Sequence, residues 1–381
     1  MIERANISAR HCEFQSRSLA RGIGTKQSPS LGLLPERIGM LRYRCARNDG
    51  FKMLLILLTS LISCLTSLHA QDSHYSQYFN VPLSLNPALT GKMDGTYRVG
   101  FDYRNQWFGL TSDGSTYSTP SFFADAPIRF KNKDILGVGL NIVNDRSSGG
   151  RLSNFSGVLS VAYHKAMGKT KNHFFSFGLQ GGLLQKKLDL ENIRLADQIF
   201  LQNESITNTS LDNLKGSDGG FDMNAGFDWS SKFSEKVSMN AGYSAMHLLQ
   251  PEISFALSND KLPMRHVITV GADFSFSKHF GLLPYFNYMT QAKATETYLG
   301  LALDFGFTND VSMQLGGYYR LSDALVPYLG FDIKGLKLGV SYDVTVSDLK
   351  NTSGGIEISI AYLGKYVAVP DVKPSLYCPR F

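Results

Sequence analysis

From Thr96 to Leu363 most of the chain alternates apolar and polar residues one by one, and this pattern limits the possible folds more than any other feature. In one segment Leu336, Leu338, Val340, Tyr342, Val344 and Val346 are separated by Lys337, Gly339, Ser341, Asp343 and Thr345. Successive strand side chains point to opposite faces, so such a segment is greasy on one side and wet on the other. The same reading puts Tyr97, Val99, Phe101 and Tyr103 opposite Arg98, Gly100, Asp102 and Arg104, and Met223, Ala225, Phe227 and Trp229 opposite Asp222, Asn224, Gly226 and Asp228. About 14 such segments follow one another, each near the roughly ten residues that a tilted membrane strand needs.

Two all-β architectures alternate in this way. A soluble sandwich hides its apolar faces in a dry core between sheets, whereas a membrane barrel turns them to lipid and keeps a polar lumen. Asp102, Asp222, Asp228, Asp273, Asp304 and Asp343 all fall on polar faces, which favours a transmembrane antiparallel β-barrel. Short links rich in Asn, Asp and Gly, such as Thr308-Asn309-Asp310, Ser322-Asp323 and Lys334-Gly335, suit antiparallel hairpins. The segment from Thr116 to Ala126 is less regular, because Pro120 interrupts it.

The N-terminus stands outside this pattern. Met53 to Ser63 reads MLLILLTSLIS, too short to span a bilayer as a helix, with Arg42, Arg44, Arg47 and Lys52 before it and Leu68-His69-Ala70 after it. This predicts a signal peptide over 53–70, cleaved after Ala70, and makes residues 1–52 a mis-called extension with translation starting near Met40 or Met53. Leu61-Ile62-Ser63-Cys64 also has the order of a lipoprotein site, which would make Cys64 the lipidated first residue. Residues 1–70 carry 10 of the 38 basic and 4 of the 32 acidic side chains, leaving 28 of each sign. The basic balance of the whole chain therefore belongs to the leader and argues for no nucleic acid. Of four cysteines only Cys378 lies beyond the leader, so no internal disulfide is expected.

Expected organisation beyond the leader is an N-terminal periplasmic or plug segment over 71–94, a barrel over 95–365 and a tail over 366–381. Pro87 lacks a donor and Asn86-Pro87 favours a turning backbone, so the run LNPALTG makes a poor strand. From Lys186 to Gly219 the rhythm breaks, which reads either as an extramembrane loop that meets a partner or as a plain surface loop. The histidines His74, His164, His173, His247, His266 and His279 are scattered, with no phosphate loop, no serine elbow and no metal-ligand spacing. The expectation is a non-enzymatic protein without cofactor or metal.

Three ordered blocks carry a resemblance: Gln71-Asp72-Ser73-His74-Tyr75-Ser76-Gln77-Tyr78-Phe79, then Pro82 to Gly91 containing Asn86-Pro87, then Tyr103-Arg104-Asn105-Gln106-Trp107. Together with Asp197-Gln198 and the terminal Cys378-Pro379-Arg380-Phe381, they resemble the PorP/SprF family of Bacteroidetes over essentially residues 71–381. The resemblance implies an outer-membrane barrel of the fatty-acid-transporter type that works with the type IX secretion machinery. Its further implied partners are outer-membrane lipid and a secreted protein with a C-terminal sorting domain, such as a large gliding-motility adhesin. Gln77, Asn86, Pro87, Tyr103, Arg104, Gln106, Trp107, Asp197 and Gln198 are the signature residues.

Within that signature, Trp107 is expected as an interfacial anchor in preference to a substrate contact. Arg104, on the polar face, is expected to hold a luminal carboxylate such as Asp102 or Asp125 in preference to a ligand. The competing functions are a channel or hydrophobic-solute transporter, and a soluble periplasmic β-protein.

Overall fold

The computed structural model describes residues 72–107, 116–147, 151–169, 172–190, 215–255, 261–347 and 352–364. Its fourteen strands are β1 Arg98–Gln106, β2 Tyr117–Arg129, β3 Ile135–Ser147, β4 Leu152–Met167, β5 His173–Leu188, β6 Ser217–Lys232, β7 Val237–Met246, β8 Arg265–Ser275, β9 Phe280–Gln291, β10 Ala294–Thr308, β11 Val311–Arg320, β12 Ala324–Ile333, β13 Leu336–Thr345 and β14 Gly355–Leu363. Each pairs antiparallel with its sequence neighbours, and β1 pairs with β14 from Arg98 opposite Leu363 to Gln106 opposite Gly355, which closes the barrel. Closure leaves no unpaired sheet edge, the condition a strand protein must meet in hydrocarbon.

The faces are inside out relative to a soluble protein. Leu159, Leu183 and Phe177 on the outer face are 68%, 63% and 61% exposed, while the six alternating aspartates are between 0% and 9% exposed. Lipid replaces water around the apolar face, so this exposure carries no hydrophobic penalty in place.

Pro120 does not end β2, which runs on to Arg129 with Pro120 opposite Tyr103 of β1. The ladder to β3 instead skips Thr119 and Pro120. Similar gaps lie beside Pro284, between β8 and β9, and beside Pro327, between β12 and β13. A residue in an antiparallel strand addresses one neighbour with its N–H, so each proline weakens one side of its strand and leaves the other intact.

The two ends differ. Where β1 starts and β14 finishes, the links span 130–134, 168–172, 233–236, 276–279, 309–310 and 334–335, none longer than five residues. At the other end lie 107–116, 189–216, 247–264 and 346–354 together with three short turns. Outer-membrane barrels carry short turns on the periplasmic side and long loops outside, which orients this one. The interruption read as Lys186 to Gly219 is shorter in the structure, since Lys187 pairs with Ser217, and residues 191–214 of it lie outside the described residues.

Candidate functional site: a strap through the lumen

Residues 72–95 cross the inside of the barrel as a strap with three short helical turns, Tyr78–Asn80, Pro82–Leu85 and Pro87–Leu89. Asn86 breaks the helix after Leu85 and caps the next turn, its side-chain oxygen accepting from Ala88 N at 2.9 Å. Proline at the start of both of the last two turns supplies the preset φ and lacks only a donor that would be orphaned there. Tyr78, Val81, Leu83, Leu85, Ala88 and Met93 are buried. Tyr78 and Phe79 meet Tyr285, Tyr318 and Tyr328 of the wall with ring centroids 5.2–6.4 Å apart.

One wall of the strap is polar. Glu357 of β14 accepts from Ser76 N and Gln77 N at 2.7 Å each. Gln77 donates to the Glu357 carbonyl at 2.8 Å and to Ser341 at 3.1 Å, and accepts from Ser359 at 2.7 Å. Arg104 of β1, 1% exposed, reaches Asp343 of β13 at 2.6 Å and the His74 carbonyl at 2.5 Å, with Glu357 at 3.7 Å. Its fork thus serves Asp343 and the strap, not Asp102 or Asp125. Asp125 is taken by a bidentate pair with Arg98 at 2.9 and 2.7 Å and accepts from Gly91 N at 2.7 Å. The difference arises because β13 lies across the closure seam from β1, a proximity that spacing along the sequence does not contain.

The opposite wall makes room for backbone. A Cβ added at Gly178 would lie 2.2 Å from the Pro87 carbonyl carbon, and one at Gly137 would lie 1.9 Å from the Thr90 oxygen. Asn86 donates to the carbonyls of Phe227 at 3.0 Å and Tyr243 at 3.3 Å. Gln180 donates to Leu83 O and Ser244 to Leu85 O, at 2.8 and 2.7 Å, and His164 Nε2 holds Thr90 O at 2.8 Å. Lower down, Lys92 forms a buried ion pair with Asp228, each side chain 1% exposed, and Arg129 donates to Met93 O and Gly95 O.

At the outer mouth His247 sits between two carboxylates, Nε2 2.5 Å from Asp72 and Nδ1 2.7 Å from Asp222. Both ring nitrogens must then donate, so the ring is imidazolium. Burial pulls the His247 proton affinity down, but the Asp72 charge and the hydrogen bonds to Asp222 and Asp72 carry its pKa up to about 9. Burial raises Asp72, yet His247 and then Arg265 hold its carboxyl well below the usual range. His74 is kept neutral by burial and by Arg104, Arg320 and Arg265, and its Nδ1 lies 3.0 Å from Glu296.

Of the signature residues, the structure brings Gln77 and Arg104 together around Asp343 and Glu357 and places Asn86 and Pro87 against the glycine wall. Tyr103 faces outward, and Gln106 and Trp107 stand at the outer end of β1, Trp107 in edge contact with Tyr117 at 4.7 Å. Asp197 and Gln198 lie outside the described residues. Glu357, Asp228 and Asp343 as strap partners were not legible from the sequence. Only their polar-face position or charge signalled them.

The cavity left between strap and wall, lined by Phe79, Leu85, Leu89, Phe123 and Tyr285, measures about 70 Å³. That is space for a few waters.

Solved barrels of similar shape include the toluene transporter TbuX of Ralstonia pickettii, 12% identical over 74% of this chain and 92% of that one, TM-score 0.48. The toluene transporter TodX of Pseudomonas putida is 11% identical over 78% and 96%, TM-score 0.45. A Pseudomonas aeruginosa FadL homologue is 11% identical over 73% and 92%, TM-score 0.42. No curated protein sequence matches the chain. A family model described as type IX secretion system membrane protein PorP/SprF matches residues 67–362, a range that includes the strap and all fourteen strands but for the last residue of β14. With a closed barrel, a lipid-facing apolar wall and that match, the chain belongs to the PorP/SprF family and is an outer-membrane component of the type IX secretion system.

Proposed function

We propose that the barrel is a non-enzymatic component that supports export or surface attachment of one secreted protein, of the kind represented by a large adhesin with a C-terminal sorting domain, in a setting that includes gliding motility. Family membership carries this reading. The strap supports it over a channel or hydrophobic-solute transporter: residues 72–95 lie along the route a solute would take, and the cavity beside Phe79 and Tyr285 holds about 70 Å³. Client contact then falls to the outer mouth and its long loops, above all 189–216. Trp107 serves as an anchor at the outer membrane boundary, and the signature residues Gln77, Asn86, Pro87 and Arg104 position the strap. The reading also takes the leader as a signal peptide removed after Ala70.

The test is extraction of the native protein in mild detergent and identification of what co-purifies. A large exported protein with a C-terminal sorting domain, or periplasmic type IX components, is the expected result. A clean barrel without a partner would move the assignment to a transporter. Deletion of Asp189 to Gly216 should leave insertion intact and abolish client display. If display survives, the loop is not the contact.

A further inference from the structure

We infer that the strap runs through the lumen from the outside inward, so that Asp72, its first described residue, stands at the cell-surface mouth of the barrel and not on the periplasmic side. The inference rests on the heights of the strap's contacts and is independent of which client the protein serves. Asp72 N donates to Gln291, the last residue of β9, and the Asp72 carboxylate meets His247, the first residue after β7. Both positions belong to the end with the long loops. Ser76 and Gln77 come next, on Glu357 and Asp343, two residues inside the same end of β14 and β13. Leu83 reaches Gln180 near mid-barrel, and Thr90 reaches His164, three residues from the opposite end of β4. Met93 and Gly95 finish on Arg129, the last residue of β2, at the end with the short turns. The chain then reverses, and β1 climbs from that end.

The outer end is fastened. Besides His247 and Gln291, Arg265 approaches Asp72 at 4.0 Å and donates to Ser73 O at 3.3 Å, so the strap is tied at the mouth by residues at the ends of three strands. The strap also bonds to strands on both sides of the β1–β14 seam, through Arg104 on one side and Glu357 and Ser359 on the other. One consequence is that the lumen can open from the cell surface by withdrawal of residues 72–80 alone, since β1 is attached at the other end.

The experiment places an epitope between Gln71 and Asp72 of the full chain and a reference epitope in the β2–β3 turn, between Lys131 and Asn132, in separate strains. Antibody labelling is compared in intact and outer-membrane-permeabilised cells, with heat-modifiable gel mobility reporting a folded barrel. The N-terminal epitope should label equally in both preparations, and the reference only after permeabilisation. Labelling of the N-terminal epitope only after permeabilisation, or of the reference in intact cells, overturns the inference. Should the insertion prevent folding, Ser73→Cys in a Cys378→Ser background gives the same comparison with a membrane-impermeant maleimide. At least a tenfold preference for labelling at residue 73 from outside is expected, and equal protection in intact cells refutes it.

Discussion

The Lys92–Asp228 pair is the most exacting test of the strap as an integral part of the lumen. It joins the strap to β6, and both side chains are 1% exposed. Removing one partner strands the other charge in a place with little solvent, a change that costs about 3–5 kcal/mol, whereas removing both leaves a neutral site that costs much less. The penalty falls on the state with the strap in place, so it appears as strap opening. At about 1.4 kcal/mol per tenfold, Lys92→Met or Asp228→Asn should speed hydrogen exchange of the amides of residues 72–95 by roughly two to three powers of ten. The double variant should recover most of that protection, giving a coupling energy of about 2 kcal/mol or more. Hydrogen exchange read by mass spectrometry on the purified barrel resolves strap peptides from strand peptides. Unchanged exchange in both single variants, or a double variant whose loss equals the sum of the singles, would refute the argument that the pair holds the strap.

Other outcomes follow from the same geometry. The His247 contribution is fully present below its ordinary pKa of 6.5 and is lost as pH rises through about 9, while that of Asp72 is present above the ordinary carboxyl range and lost on acidification. Exchange protection of residues 72–77 should therefore fall between pH 6.5 and about 9, by about 3 kcal/mol in opening free energy if His247 acts alone, and His247→Ala should abolish that alkaline limb. Gly178→Val places atoms against the Pro87 backbone and should cost roughly 2–3 kcal/mol and raise conductance in planar bilayers. Gly157→Ala, where the nearest atoms are the Phe155 ring at 3.4 Å, should change neither by more than about 0.5 kcal/mol. Arg104→Lys keeps the charge but not the fork, so its thermal gel-shift midpoint should drop by an amount equivalent to about 1–3 kcal/mol, and an unchanged midpoint would deny the fork its role.

The sequence by itself determined the barrel. Alternation with period two is a local property of consecutive residues, and Tyr97, Val99, Phe101 and Tyr103 face lipid while Asp102, Asp228 and Asp343 face inward, because strand geometry converts that local order directly into two faces. The resemblance in Gln77, Asn86-Pro87 and Tyr103 to Trp107 led to the family for the same reason, since those blocks are contiguous. Tertiary structure alone decided what each inward group meets. Arg104 finds Asp343, 239 residues away, and Gln77 finds Glu357, 280 residues away, only because closure brings β13 and β14 beside β1. The path of the strap was equally hidden: residues 72–95 have no alternation to assign them a face, and their place follows from complementarity to glycines and carboxylates contributed by strands scattered around the ring. Local periodicity specifies which way a side chain points, and the closed ring fixes what stands opposite it.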